Sequence, residues 1–197
     1  MPRPSPPLET GLLWALLALP GAFMTYRYVH GTTFYGEYLH ATGELGARLL
    51  IVTMAVTPLR MMFGNAAWTR WLLGRRRYLG VAAFGYALLH ATAYLQRQSL
   101  TVITKEAAEL AVATGWVALL VMLLLAATSN DAAVRLLGRR WKWLHRAVYA
   151  AAVLTFAHWI LTAFDPLPGA AHLGVLAALE AIRVWKTVRT TSRRSST

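Results

Sequence analysis

Three of the six histidines in this chain, His90, His145 and His158, lie inside long apolar runs. An ionisable ring in hydrocarbon is costly, so its presence points to a function. Such a ring can ligate a metal, relay a proton or hydrogen-bond a neighbouring helix. His145 and His158 share the stretch WKWLHRAVYAAAVLTFAHWILTAF, residues 141–164, and stand thirteen positions apart. On one continuous helix that spacing is roughly 20 Å along the axis and returns to nearly the same face. His90 lies in a second run, 13 residues past Arg77, the last basic residue before it; His158 lies 12 residues past Arg146. If both runs cross a bilayer in the same direction, the two rings reach one depth, because each residue adds about 1.5 Å. Two imidazoles at one depth on neighbouring helices can face each other across a planar macrocycle. Histidine is an ordinary axial ligand of haem iron, and bundle cores house such cofactors. The competing chemistry for the same residues is a proton relay or an interhelical hydrogen bond.

The elements that must position these rings follow from composition. Of 197 residues 57% are hydrophobic and 14% charged, whereas a soluble domain carries about a quarter charged residues. The apolar material falls into six runs of roughly membrane-spanning length, 8–26, 45–63, 78–95, 110–127, 141–164 and 170–185. The expectation is an all-α, polytopic bundle of six transmembrane helices in the lipid bilayer. A cleaved signal peptide is the rival for the first run. Its charged region holds only Arg3 and no clear A-x-A site follows, so a retained helix is expected. The connectors 64–77 and 128–140 and the tail hold most of the twenty Lys and Arg residues. By the positive-inside rule both termini are cytoplasmic, and the third and fifth helices both run from cytoplasm to exterior. The domain reading is a single transmembrane unit, 1–189, followed by a basic cytoplasmic tail, 190–197, without fixed structure. The net charge of +12 is parcelled between apolar runs rather than gathered on one face, so nucleic acid is not an expected partner. The absence of cysteine excludes disulfides, iron–sulfur clusters and thiolate-attached haem.

Other residues carry more than one reading. His145 sits among Trp141, Lys142 and Arg146 at a basic edge. A haem there would need a partner near position 77, which is Arg77. Ligation with another partner, contact with a second cofactor and a satisfied place among headgroups all stand for His145. Arg48 enters the second helix near the depth of the histidine pair and either meets a haem propionate or snorkels to the interface. Arg75, Arg76 and Arg77 form a topology signal or a phosphate-binding cluster. His30, His40 and His172 read as solvated or interfacial, and Glu180 and Arg183, three apart, as a helix pair. Tyr86, Tyr94, Tyr149, Phe156 and Trp159 read as core, interface belt or cofactor lining.

LGVAAFGYALLHATAY around His90, TGELGARLLIVTMAVTPLR around Arg48, and WKWLHRAVYAAAVLTFAHWI around His145 and His158 resemble the MsrQ (YedZ) family. That family supplies the haem-binding membrane subunits of the protein-methionine-sulfoxide reductase system, within the ferric-reductase-like transmembrane group. The resemblance covers nearly the whole chain. It implies a multi-pass protein of the bacterial inner membrane that carries electrons and leaves catalysis on methionine sulfoxide to a partner. Electrons would come from the quinone pool or a cytoplasmic flavin source. They would pass through haem b, with FMN also assigned, to a periplasmic molybdopterin-containing subunit that repairs oxidised proteins. His90, His145 and His158 match the family's haem-ligand positions. The fourth histidine of the larger ferric reductases is missing, which puts a two-haem relay in doubt. The residues themselves leave a reductase for another acceptor, such as ferric chelates, and a haem-free transporter or assembly protein as alternatives. They hold no G-x-G-x-x-G after a strand pattern, so a lipid-soluble donor or separate protein is the expected electron source.

Overall fold

Apolar length sets the architecture. In the computed structural model, which describes residues 7–195 and the side chains of 8–189, six helices are long and apolar enough to cross a membrane. They are α1 (Pro7–Val29), α2 (Tyr35–Phe63), α3 (Ala67–Arg97), α5 (Leu110–Ala127), the composite α7 (Arg139–Leu144) with α8 (Val148–Thr162), and α9 (Leu167–Ser195). Two short helices, α4 (Leu100–Glu106) and α6 (Asp131–Leu137), lie in the connections, and no strand occurs among the described residues. The chain is an all-α, multi-pass membrane protein, as its composition predicts, since only helices or closed barrels satisfy the backbone in lipid.

Helix ends depart from the apolar runs. α2 starts at Tyr35, ahead of the apolar run over 45–63, and α3 starts at Ala67, ahead of the run over 78–95. Arg70, Arg75, Arg76 and Arg77, expected in a connector, therefore lie on α3. Hydropathy marks only the hydrocarbon-crossing part, while Arg, Leu and Trp continue a helix readily beyond it. The helix expected over 141–164 is interrupted by a 3-10 turn at His145–Ala147. That turn tightens the chain where the His145 ring stacks on Trp141, centroids 3.9 Å apart, and meets Thr128 Oγ1 at 3.1 Å. The regular register expected between His145 and His158 is replaced by a broken one. Upstream, Gly138 separates α6 from α7 with φ 51°, a left-handed conformation that glycine adopts without strain. The backbone of α9 continues past Thr190, where the tail was expected to begin, and residues 196–197 lie outside the described ones.

Two antiparallel pairs, α2 with α3 and α5 with α8, form the centre, and α9 packs against α2 and α8. Small residues let the backbones close: Ala47, Ala83, Ala151 and Ala152 are nearly inaccessible, around Leu50, Met54, Met122 and Phe156. Small interfacial side chains are how membrane helices approach, since lipid is as apolar as leucine. α1 is attached from outside. Tyr86 Oη accepts from Gly21 N and donates to Leu17 O, both at 2.8 Å, and so inserts between an amide and a carbonyl four residues apart just after Pro20.

Candidate functional site

His90 projects from α3 and His158 from α8, and their ring centroids are 6.0 Å apart with planes at 86°. The matched depth expected from residue counting is therefore realised as a facing pair. Each ring is held from behind. His90 Nδ1 lies 2.9 Å from Leu39 O on α2, and His158 Nδ1 lies 2.7 Å from Ala111 O on α5. A carbonyl only accepts, so Nδ1 is the donor in each contact, and Nε2 is the ring nitrogen left for a ligand.

The pair borders a cavity of about 550 Å³ between the two central helix pairs, within the usual size of a cofactor site. Ala47, Ala87, Ala118, Leu119 and Met122 give it apolar walls; His40, Glu44, Tyr94, Gln98, Glu106 and Trp116 add polar groups. Thr155 Oγ1, one turn before His158, is a buried hydroxyl with no protein partner and belongs to the same lining. Among the described residues no three His, Asp or Glu side chains converge to hold a bare metal ion. The geometry instead suits a metal whose remaining ligands come with it. With about 2 Å from metal to imidazole nitrogen and about 1 Å more to the ring centre, trans imidazoles have centres about 6 Å apart. The observed separation agrees, so the residues fit a haem.

Other expected site residues lie elsewhere. Arg48 donates to Glu44 Oε1 at 2.6 Å and from Nε to His172 Nε2 at 3.3 Å. His40 stands 3.7 Å from the other Glu44 oxygen. A propionate at Arg48 would compete with Glu44. This His40–Glu44–Arg48–His172 cluster, beside Trp159, escaped the sequence reading because it joins α2 to α9 across 124 positions. Arg75 pairs with Glu9, Arg76 reaches Thr57 Oγ1 at 3.3 Å, and Arg77 pairs with Asp131 at 2.5 Å. Consecutive on a helix, the three guanidiniums diverge to α1, α2 and α6, and they do not form one phosphate cradle. His145 faces no second histidine; its Nε2 meets Thr128. Outside the spans, the Arg77 guanidinium holds the Asp131 carboxyl below the usual carboxylate range. Glu180 and Arg183 do pair, at 2.9 Å, and Arg183 also contacts Tyr149 Oη.

Residues 42–156 match the family described as ferric reductase like transmembrane component. That span contains His90 and His145 and stops two residues before His158. Curated relatives extend it. The protein-methionine-sulfoxide reductase heme-binding subunit MsrQ of Xanthomonas campestris pv. campestris is 40% identical over 168 residues, which cover 81% of this chain and 75% of that protein. The chain belongs to the MsrQ family. A further member, from Ralstonia nicotianae, is 36% identical over 186 residues, 88% of this chain and 83% of its own length. No solved structure matches the chain. The family resemblance noted in the sequence is thus borne out, and the family lies within the ferric-reductase-like group.

Proposed function

We propose that this chain is the haem b-binding electron-transfer subunit of a methionine-sulfoxide reductase system in a bacterial inner membrane. One observation carries the reading: His90 and His158 stand with ring centroids 6.0 Å apart at the cavity, each with Nδ1 hydrogen-bonded to a backbone carbonyl of a neighbouring helix. The relatives' names, heme-binding subunits of that reductase, support it. Bound there, haem b supplies one-electron acceptance and release. The chain's own part is to hold Nε2 of His90 and His158 toward the iron, to keep water out with Ala87, Ala118 and Met122, and to orient each ring through its Nδ1 proton.

By the positive-inside rule, the basic connectors support a topology with both termini cytoplasmic and the histidine pair in the outer half of the membrane. An outer cofactor suits delivery to a periplasmic partner, which the family reading makes a molybdopterin-containing subunit that reduces methionine sulfoxide in damaged proteins. Electrons enter from the quinone pool or a cytoplasmic flavin source, at the opposite end near Trp141 and His145. FMN gains no support from Arg75, Arg76 and Arg77, which are engaged with separate partners, and no step is assigned to it.

The decisive experiment is a reduced-minus-oxidised visible spectrum of the detergent-purified protein from haem-replete cells. A low-spin b-type spectrum is expected. A colourless protein would refute the electron-transfer reading and leave a proton-relay or scaffolding role for the histidines.

A further inference from the structure

His90 and His158 rest on matching pieces of chain. Residues 41–43 and 113–115 both read Ala-Thr-Gly. In α2, His90 Nδ1 donates to Leu39 O, four residues before Gly43, whereas Thr42 Oγ1 makes its shorter bond to Tyr38 O at 2.8 Å and lies 3.1 Å from Leu39 O. In α5, His158 Nδ1 donates to Ala111 O, four residues before Gly115, and Thr114 Oγ1 donates to that oxygen at 2.9 Å. A methyl group added at Gly43 would lie 2.8 Å from His90 Nδ1; one at Gly115 would lie 2.8 Å from His158 Nδ1. Carbon atoms pack at about 3.5–4.0 Å, so neither ring could stay where it is beside an alanine.

We propose that Gly43 and Gly115 are a duplicated seat of positioning residues that locks each facing histidine as its Nδ1–H tautomer, with Nε2 offered to the cavity, and that Thr114 tunes the seat under His158. The glycine removes the side chain that would otherwise stand between ring and helix, so the imidazole reaches a carbonyl that already closes a helical turn. A carbonyl oxygen has two lone pairs. The helix amide competes with the imidazole for them on both helices, and on α5 the Thr114 hydroxyl does so too. Thr114 therefore moderates how strongly Nδ1–H of His158 is held, and with it the basicity of Nε2 as a ligand. One turn of α2 and one turn of α5 perform the same task on opposite sides of the cavity.

The ligand-strength part rests on the haem reading above, whereas the tautomer part stands without it. Two measurements on the full-length protein separate them. In haem-free protein with 15N-labelled histidine, NMR should show His90 and His158, assigned by His→Ala subtraction, as Nδ1–H tautomers. Gly43→Ala should convert His90 alone, and Gly115→Ala His158 alone. In haem-loaded protein the same glycine variants should lose low-spin character or raise the midpoint potential. Thr114→Val should lower it by freeing the Ala111 carbonyl for the imidazole, and Thr42→Val should change it less, since the Thr42 hydroxyl bonds chiefly to Tyr38 O. The glycine and Thr114 shifts should each be about tenfold or more in the reduction equilibrium, and Thr114→Ser should restore the wild-type value. Opposite signs from neighbouring residues would not arise from general loosening. An Nε2–H tautomer in the wild type, or glycine and threonine variants with wild-type spectra and potentials, would overturn the seat while leaving the haem. A colourless wild type with both Nδ1–H tautomers would overturn the haem and leave the seat. If an alanine variant fails to fold, the wild-type tautomer and Thr114→Val decide.

Discussion

The two ends of the bundle hold similar side chains and use them in opposite ways. At the end with His90 and His158, the rings turn Nε2 into a cavity and give Nδ1 to the backbone of the neighbouring helix. At the other end, His145 stacks on Trp141 and gives Nε2 to Thr128. Around it Arg76, Arg77, Glu180 and Arg183 are engaged with one another or with polar groups on other helices. The first arrangement engages Nδ1 and leaves Nε2 without a protein partner. The second engages Nε2 instead, between helices, which is how polar groups are tolerated at membrane depth. The lesson is that a histidine's role is set by which nitrogen the neighbouring helix already occupies.

The strongest way to break this contrast is to remove a ring. His90→Ala and His158→Ala should each abolish the low-spin haem spectrum of the purified protein, because one axial ligand cannot hold the iron in a two-sided clamp. Retention of the full spectrum in either variant would defeat the assignment. Glu180→Gln should lower stability by about 1–2 kcal/mol, discounted for partial exposure, since Arg183 keeps only a neutral acceptor. Thermal unfolding in detergent would show this as a drop of a few degrees, with the haem spectrum intact below the transition.

His145→Ala sharpens the contrast from the other side. It should leave the spectrum of the facing pair unchanged and slow reduction by a quinol analogue. Loss of the whole spectrum would make His145 a ligand and the two ends alike. Asp131→Asn should have the smallest effect, a slight drop in melting temperature at neutral pH, because an exposed pair is screened. Its sign with pH is fixed. Arg77 lowers the Asp131 carboxyl, so the pair contributes above the ordinary carboxylate range and is lost as pH falls through the lowered value. A wild-type acid-side loss that Asp131→Asn lacks would confirm this, and identical acid profiles would remove the pair from the account.

Sequence alone determined the six spans, because about twenty apolar residues have one stable fate in a bilayer. It also determined that His90 and His158 share a depth, because rise per residue is constant along a helix. It did not determine the ends of α2 and α3, where helix outlasts hydrocarbon, nor the 3-10 turn at His145, which depends on Trp141 and Thr128. The divergence of Arg75, Arg76 and Arg77 was likewise hidden, since consecutive residues on a helix face different neighbours. The repeated Ala-Thr-Gly was in plain view as letters, yet its meaning required two helices to bring Gly43 under His90 and Gly115 under His158. Spacing along one helix is local geometry and can be counted. Which nitrogen meets which carbonyl is a contact between helices, and only packing decides it.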